Sequence, residues 1–92
     1  MEHFFISVGF GNVVNASRIL SIGIPDSAPV KRDMAEFRSA GRLIDYTKGR
    51  RTRALIYLDN GLAVASNMLP ETLATRFVGR SSAASNAGKK DA

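Results

Sequence analysis

Apolar and polar residues alternate first, then recur at helical spacing, then merge into the longest apolar run of the chain, and this order predicts the elements. "HFFISV", His3 to Val8, has the aromatic and β-branched content of a strand, and Gly9-Phe10-Gly11-Asn12 interrupts it with two residues free to take positive φ. A second strand reads from about Arg18 to Ile24, with Ile19, Ser21 and Gly23 alternating against Leu20, Ile22 and Ile24 until Pro25-Asp26-Ser27-Ala28-Pro29 stops it. Ser27 is the expected N-cap of a helix with Pro29 in its first turn, where a missing N–H costs little. Val30, Met34 and Phe37 follow at i, i+4 and i+7, and Gly41 supplies the stop.

The strongest hairpin signal is "TRALIYLD", Asn60-Gly61, "LAVASNM". An Asn-Gly pair between apolar runs predicts a two-residue turn with positive φ at both central positions. The strand from Thr52 to Asp59 is apolar on both faces, Ala54, Ile56 and Leu58 on one, Leu55 and Tyr57 on the other, so both faces need covers. One helix covers one face; the second cover is expected to be the shorter helix "PETLATRF", Pro70 to Phe77, or another subunit. From Gly79 the residues turn small and polar. The predicted organisation is one compact domain, 1–78, and a disordered basic tail, 79–92. The fold class is α+β, a small antiparallel sheet with a β-hairpin and two helices.

Charge changes this picture more than length does. Thirteen Lys and Arg stand against eight Asp and Glu for a net charge of +5, and nine of the thirteen bases are arginine. That balance favours a polyanionic partner. With no cysteine and a single histidine, His3, thiolate chemistry is excluded and a Ser-His-Asp arrangement is disfavoured. The N-terminal segment carries no Lys or Arg and too short an apolar run for a signal peptide or membrane span. A cytosolic protein with no membrane partner, no cofactor and no small-molecule substrate is expected. At 92 residues a monomer is close to the size at which burial becomes marginal, which makes a partner subunit a reasonable expectation.

Few stretches offer chemistry. Gly9-Phe10-Gly11-Asn12-Val13-Val14 begins like a dinucleotide fingerprint, but Val14 stands where the third glycine belongs and strand, not helix, follows. The same stretch resembles part of an RNA-recognition signature, with Val8 and Asn12 in place of its base and its second aromatic. The plainer reading is a glycine-rich turn that lets Phe10 pack. Asp26, Asp33, Glu36, Asp45 and Asp59 form no catalytic pair. The basic segment is denser: Lys48, Arg50, Arg51 and Arg53 put four bases in six residues, just ahead of the core strand. Arginine suits planar, bidentate recognition of phosphate or guanine edges. For Arg50 and Arg51 to meet one phosphate backbone, the chain must bend at Gly49-Arg50. Arg18 and Arg32 are candidates to join that surface.

Taken together, "VGFGNVV", "SAPVKR", "LIDYTKGRRTRAL" and "LPETLATRF" resemble, in order and spacing, the RemA family of bacterial extracellular-matrix regulatory proteins, over about Phe4 to Phe77. The resemblance implies a non-enzymatic, nucleoid-associated transcription activator of biofilm matrix genes that binds double-stranded DNA as a ring-like homo-oligomer. By position it implies that Arg18, Arg50 and Arg51 contact DNA and that Pro29 matters structurally; Tyr46 departs from the small residue expected there. Two other readings stay open on the residues themselves. One is a single-stranded RNA-binding module using Phe10; the other is a structural scaffold whose bases pair with acids such as Asp45 and Asp59 on neighbouring subunits.

Overall fold

The computed structural model describes residues 5–76. Two sheets and two helices make an α+β fold. Strand β1 (Phe5–Gly9) and β2 (Asn12–Asn15) form an antiparallel hairpin, and a 3-10 turn (Ala16–Arg18) leads into β3 (Ile19–Gly23). Helix α1 (Ala28–Ser39), β4 (Leu43–Asp45), β5 (Ala54–Leu58), β6 (Ala63–Ser66) and a short helix α2 (residues 70–76) follow. The larger sheet has the order β3-β5-β6-β4. Its one parallel pair, β4 with β6, departs from the expected all-antiparallel sheet, because α1 carries the chain across to enter β4 alongside β6.

The predicted helix begins where its cap requires. Ser27 Oγ accepts from the Val30 amide at 3.4 Å, with Pro29 in the first turn. At the other end Gly41, at φ +73°, lets its own amide reach Arg38 O and the Arg42 amide reach Phe37 O, the paired bonds of a Schellman stop. Both ends are readable in the sequence because capping is local chemistry.

Strand β5 is enclosed on both faces, as its residues demand: Leu55 and Ile56 are each fully buried. Helix α1 covers the Leu55 and Tyr57 face, where Phe37 meets Tyr57 edge-on at 6.0 Å between centroids. Tyr57 donates from its hydroxyl to Asp33 Oδ2 at 2.6 Å, so the ring is pinned to the helix as well as packed. The opposite face, Ala54 and Ile56 with Val64 of β6, closes on Val8 and Val14 of the hairpin and Leu73 of α2. The second cover is therefore the N-terminal hairpin together with the short helix, within one chain. The reason is alternation: Ile6, Val8 and Val14 point inward, while Phe5 and Val13 remain exposed.

A bulge between Ser7 and Gly9 leaves Val8 outside the β1/β2 ladder. Its carbonyl is satisfied instead by Ser66 Oγ, which donates to it at 2.7 Å and accepts from the Met68 amide at 3.0 Å. Ser66 is completely buried, so this hydroxyl ties the hairpin to the main sheet at a point where an unpaired group would cost about 1–3 kcal/mol.

The β5/β6 hairpin forms as expected, but its turn differs. Tyr57 pairs with Ala63, and the Leu58 amide bonds Leu62 O at 3.0 Å, leaving the three residues Asp59-Asn60-Gly61 as the loop. Of these, Gly61 alone has positive φ, at +84°. Asn60 instead spends its side chain on the Leu62 amide, accepting at 3.1 Å, which fixes a three-residue loop closed by one left-handed glycine. Tyr46, the family departure, packs against the main core. His3 and Phe4 of the first predicted strand, Phe77 of the last helix, and the predicted tail 79–92 lie outside the described residues.

Candidate nucleic-acid interface

The basic segment is built as a corner. Thr47 and Arg50 are joined by a bond from the Arg50 amide to Thr47 O at 2.9 Å, and the two residues between them, Lys48 and Gly49, have φ of +53° and +79°. Positive φ at both central positions is the signature of a type I′ turn, the geometry predicted for Asn60-Gly61. The corner has a buried footing. Thr47 is 2% exposed and donates from both its amide and its hydroxyl to Asp45 Oδ1, at 2.9 and 2.6 Å. Those two bonds hold the Asp45 carboxyl below the usual carboxylate range, against a smaller opposing effect of burial. On the far side the Arg53 amide bonds Ser66 O at 2.8 Å, so the exposed bases lie between two fixed points.

A second corner meets the first. At the tip of β1/β2, Gly9 pairs with Asn12 across Phe10 and Gly11, whose φ values are +55° and +78°. Phe10 stays 42% exposed, and the basic loop lies over its ring: Lys48 Nζ is 5.5 Å and Arg50 Cζ 5.7 Å from the ring centroid. Both distances are within cation–π range. The glycine-rich turn does not bring Phe10 into the core; its ring stays exposed with two cations over it.

The expected bend is present one residue earlier than predicted, at Lys48-Gly49, and it does not aim Arg50 and Arg51 together. Arg50 reaches Phe10, whereas Arg51 turns toward the entrance of α1 and pairs with Asp26 at 3.5 Å, with side chains 70% and 78% exposed. Arg53 is exposed beside it, along a shallow groove shared with Ile24, Asp26, Leu69, Pro70 and Glu71. Arg32 is exposed on α1 and has no hydrogen bond or ion pair to the loop among the described residues.

Arg18 lies elsewhere. Its guanidinium meets both carboxylate oxygens of Asp59 at 3.2 Å, and its carbonyl accepts from the Asp59 amide at 3.0 Å. Asp59 follows the last residue of β5 and Arg53 precedes the first. Six residue steps of extended chain put these ends roughly 20 Å apart. Among the described residues, the candidate bases other than Arg32 thus fall at two stations, Arg18 at one end of β5 and Lys48 to Arg53 at the other. The acids are shared out differently from the sequence expectation. Asp59 serves Arg18 and Asp45 serves Thr47, while Asp26, not singled out for it, answers Arg51.

Comparison with known proteins agrees with the resemblance. Residues 5–77 match the family described as RemA-like, extracellular matrix regulatory protein A-like. A protein of Carboxydothermus hydrogenoformans named "Putative regulatory protein" is 53% identical over 77 residues, covering 84% of this chain and 88% of its own. Similarly named proteins from Nostoc punctiforme and a Geobacillus species are 50% and 49% identical over 78 and 75 residues. These alignments cover 85% and 82% of this chain, and 89% and 86% of theirs.

Proposed function

The chain belongs to the RemA-like family of extracellular matrix regulatory proteins, and from that premise we propose that it is a non-enzymatic transcription regulator that binds duplex DNA through arginines displayed by a homo-oligomer. The observation that carries the reading is the basic corner: Lys48, Arg50, Arg51 and Arg53 are exposed, yet their backbone is footed on buried Thr47 and on Ser66. A charge run that serves only solubility needs no such footing. Bases held at fixed points suit a regular array of phosphates.

The two-station layout supports assembly. Separated by the length of β5, Arg18 and the basic loop of one protomer offer few phosphate contacts each, and repeating both stations around a ring-like oligomer multiplies them. Exposed apolar side chains are available at the subunit surface: Phe5 and Val13 on the outer hairpin face, and Leu20, 69% exposed, on the edge strand β3. Activation of matrix genes, and a cytoplasmic, nucleoid-associated location, follow as part of the same proposal.

The alternatives are less well served. A single-stranded base stacking on Phe10 would have to share the ring with Lys48 and Arg50. In the scaffold reading, two of the acids considered as intersubunit partners, Asp45 and Asp59, are already engaged within the chain.

The test is duplex binding measured by anisotropy across a salt series, with light scattering on the same samples. Tight, salt-dependent binding by an oligomer is expected. Arg51→Ala is expected to lower both affinity and the log-log salt slope, by roughly one for each phosphate that is no longer neutralised. Parent-like binding by Arg51→Ala at matched salt would show that the basic corner is not the interface.

A further inference from the structure

The aromatic at the tip of the first hairpin has no role in duplex binding as proposed, yet two bases of the corner lie over its ring. We infer that Phe10 is a positioning residue of the DNA-contacting loop: its ring gathers Lys48 and Arg50 and holds their cationic ends at one place on the surface, ready for a phosphate. The inference rests on the duplex-binding reading and adds a residue from a different part of the chain.

Three observations converge on it. The ring is reached by both cations, at 5.5 and 5.7 Å, although two like charges would by themselves move apart. A phenyl face attracts each without neutralising either, so the charges remain available to an anion, which a carboxylate in the same place would not allow. Phe10 is also placed at some cost, since it has φ +55°, a left-handed conformation that side-chain-bearing residues seldom adopt. Glycine flanks it on both sides, at φ +111° and +78°. Finally, the hairpin carrying Phe10 is anchored behind its tip: Ser66 Oγ donates to Val8 O, and the Cβ position of Gly9 lies only 2.5 Å from Asn67 Oδ1. The tip is therefore held against the main sheet.

Holding two long side chains in place before the ligand arrives reduces the rotamer entropy surrendered on binding. A phosphate reaching this ring meets two charges already held at 5.5 and 5.7 Å from one centroid. Flat aromatic character, more than bulk, is what the arrangement needs.

Phe10→Leu, Phe10→Tyr and Arg51→Ala, compared with the parent, test this. Leucine keeps an apolar side chain and removes the π face; tyrosine keeps the face. The expected result is a roughly threefold to tenfold weaker duplex affinity for Phe10→Leu, the size of one or two cation–π interactions, with parent-like affinity for Phe10→Tyr. In proton NMR of the DNA-free protein, the Lys48 ε-methylene and Arg50 δ-methylene resonances are expected upfield from the ring current in the parent and the tyrosine variant, and at ordinary positions in the leucine variant. Unshifted resonances in the parent, or duplex binding that Arg51→Ala weakens and Phe10→Leu leaves intact, overturns the inference. A parent that binds no duplex at any salt refutes the functional reading instead, and the NMR comparison still decides whether Phe10 gathers the two bases.

Discussion

Lys48 and Phe10 are the two non-glycine residues with positive φ among the described residues, and their side chains meet, Lys48 Nζ lying 5.5 Å from the Phe10 ring centroid. Each is followed by a glycine that completes a two-residue corner, Phe10-Gly11 on the first hairpin and Lys48-Gly49 in the basic loop. A left-handed conformation costs an L residue about 1–2 kcal/mol, so the chain carries its least favourable backbone at the two places that touch. Strain of this kind persists where surrounding structure fixes it, here the Asp45–Thr47 pair and the Ser66 bond to Val8.

The glycines of this region separate backbone strain from collision. Gly49 has φ +79° with nothing near its Cβ position, so Gly49→Ala is expected to destabilise by about 1–2 kcal/mol from conformation alone. Gly9, at φ +111°, would also drive a Cβ to 2.5 Å from Asn67 Oδ1, and Gly9→Ala is expected to destabilise more, on the order of 2–4 kcal/mol. Urea unfolding of the two variants measures the difference. Equal effects would mean that the hairpin tip yields and is not held against the sheet.

If Arg51 contacts DNA as proposed, Asp26 competes with the duplex for its guanidinium. Their pair is long, 3.5 Å, and both side chains are mostly exposed, so its contribution to stability is small. Asp26→Asn is expected to leave the melting temperature within about a degree or two, on the order expected for a change of a few tenths of a kcal/mol, and to tighten duplex binding about twofold to fivefold. Anisotropy at a single salt concentration reads this. Weaker binding by the variant would assign the carboxylate a role in aiming Arg51.

Tyr57 makes stability depend on alkaline pH. Its burial, and then its hydrogen bond to the Asp33 carboxylate and the charge of that group, push the phenol up from 10.0 to about 12 in the folded protein. A raised folded-state pKa means that the native state keeps a proton the unfolded chain releases. The stabilisation is therefore whole below pH 10 and is lost as pH rises from 10 through about 12. Tyr57→Phe is expected to be less stable than the parent by about 1 kcal/mol at neutral pH, where the hydrogen bond is missing, and to show a shallower decline between pH 10 and about 12. Parallel pH profiles of unfolding free energy for the two proteins would contradict the assignment.

What the sequence makes legible is what adjacent residues decide. The Ser27 cap, the Gly41 stop, the two-faced strand through Leu55 and Ile56, and the density of bases from Lys48 to Arg53 all depend on neighbours a few positions away. The exchange of turn types shows where such reading stops. Asn60-Gly61 has the usual residues for a type I′ corner, but the Asn60 side chain takes the Leu62 amide and a three-residue loop results, whereas Lys48-Gly49 and Phe10-Gly11 adopt positive φ at both positions without the usual first residue. Long-range placement is also beyond it. The parallel β4/β6 pair, the reach of Phe10 to the basic loop, and the Arg51–Asp26 pair follow from the sheet order, which no local pattern encodes. Arg18, a candidate for the same surface that rests mainly on family resemblance, is placed at the end of β5 remote from the basic loop.

Strand β5 sets that separation, and it has little freedom to change. It is hydrogen-bonded on both edges, to β3 and β6, and its first three residues are fully buried between the hairpin and α1. Inserting one residue would turn Leu55 and Ile56 to the wrong faces. The spacing between Arg18 and the basic loop is thus inherited from the interior. Surface charges can be exchanged one at a time, but the spacing between stations acts as a gauge cut by the core, and any sequence that keeps this packing keeps the same spacing.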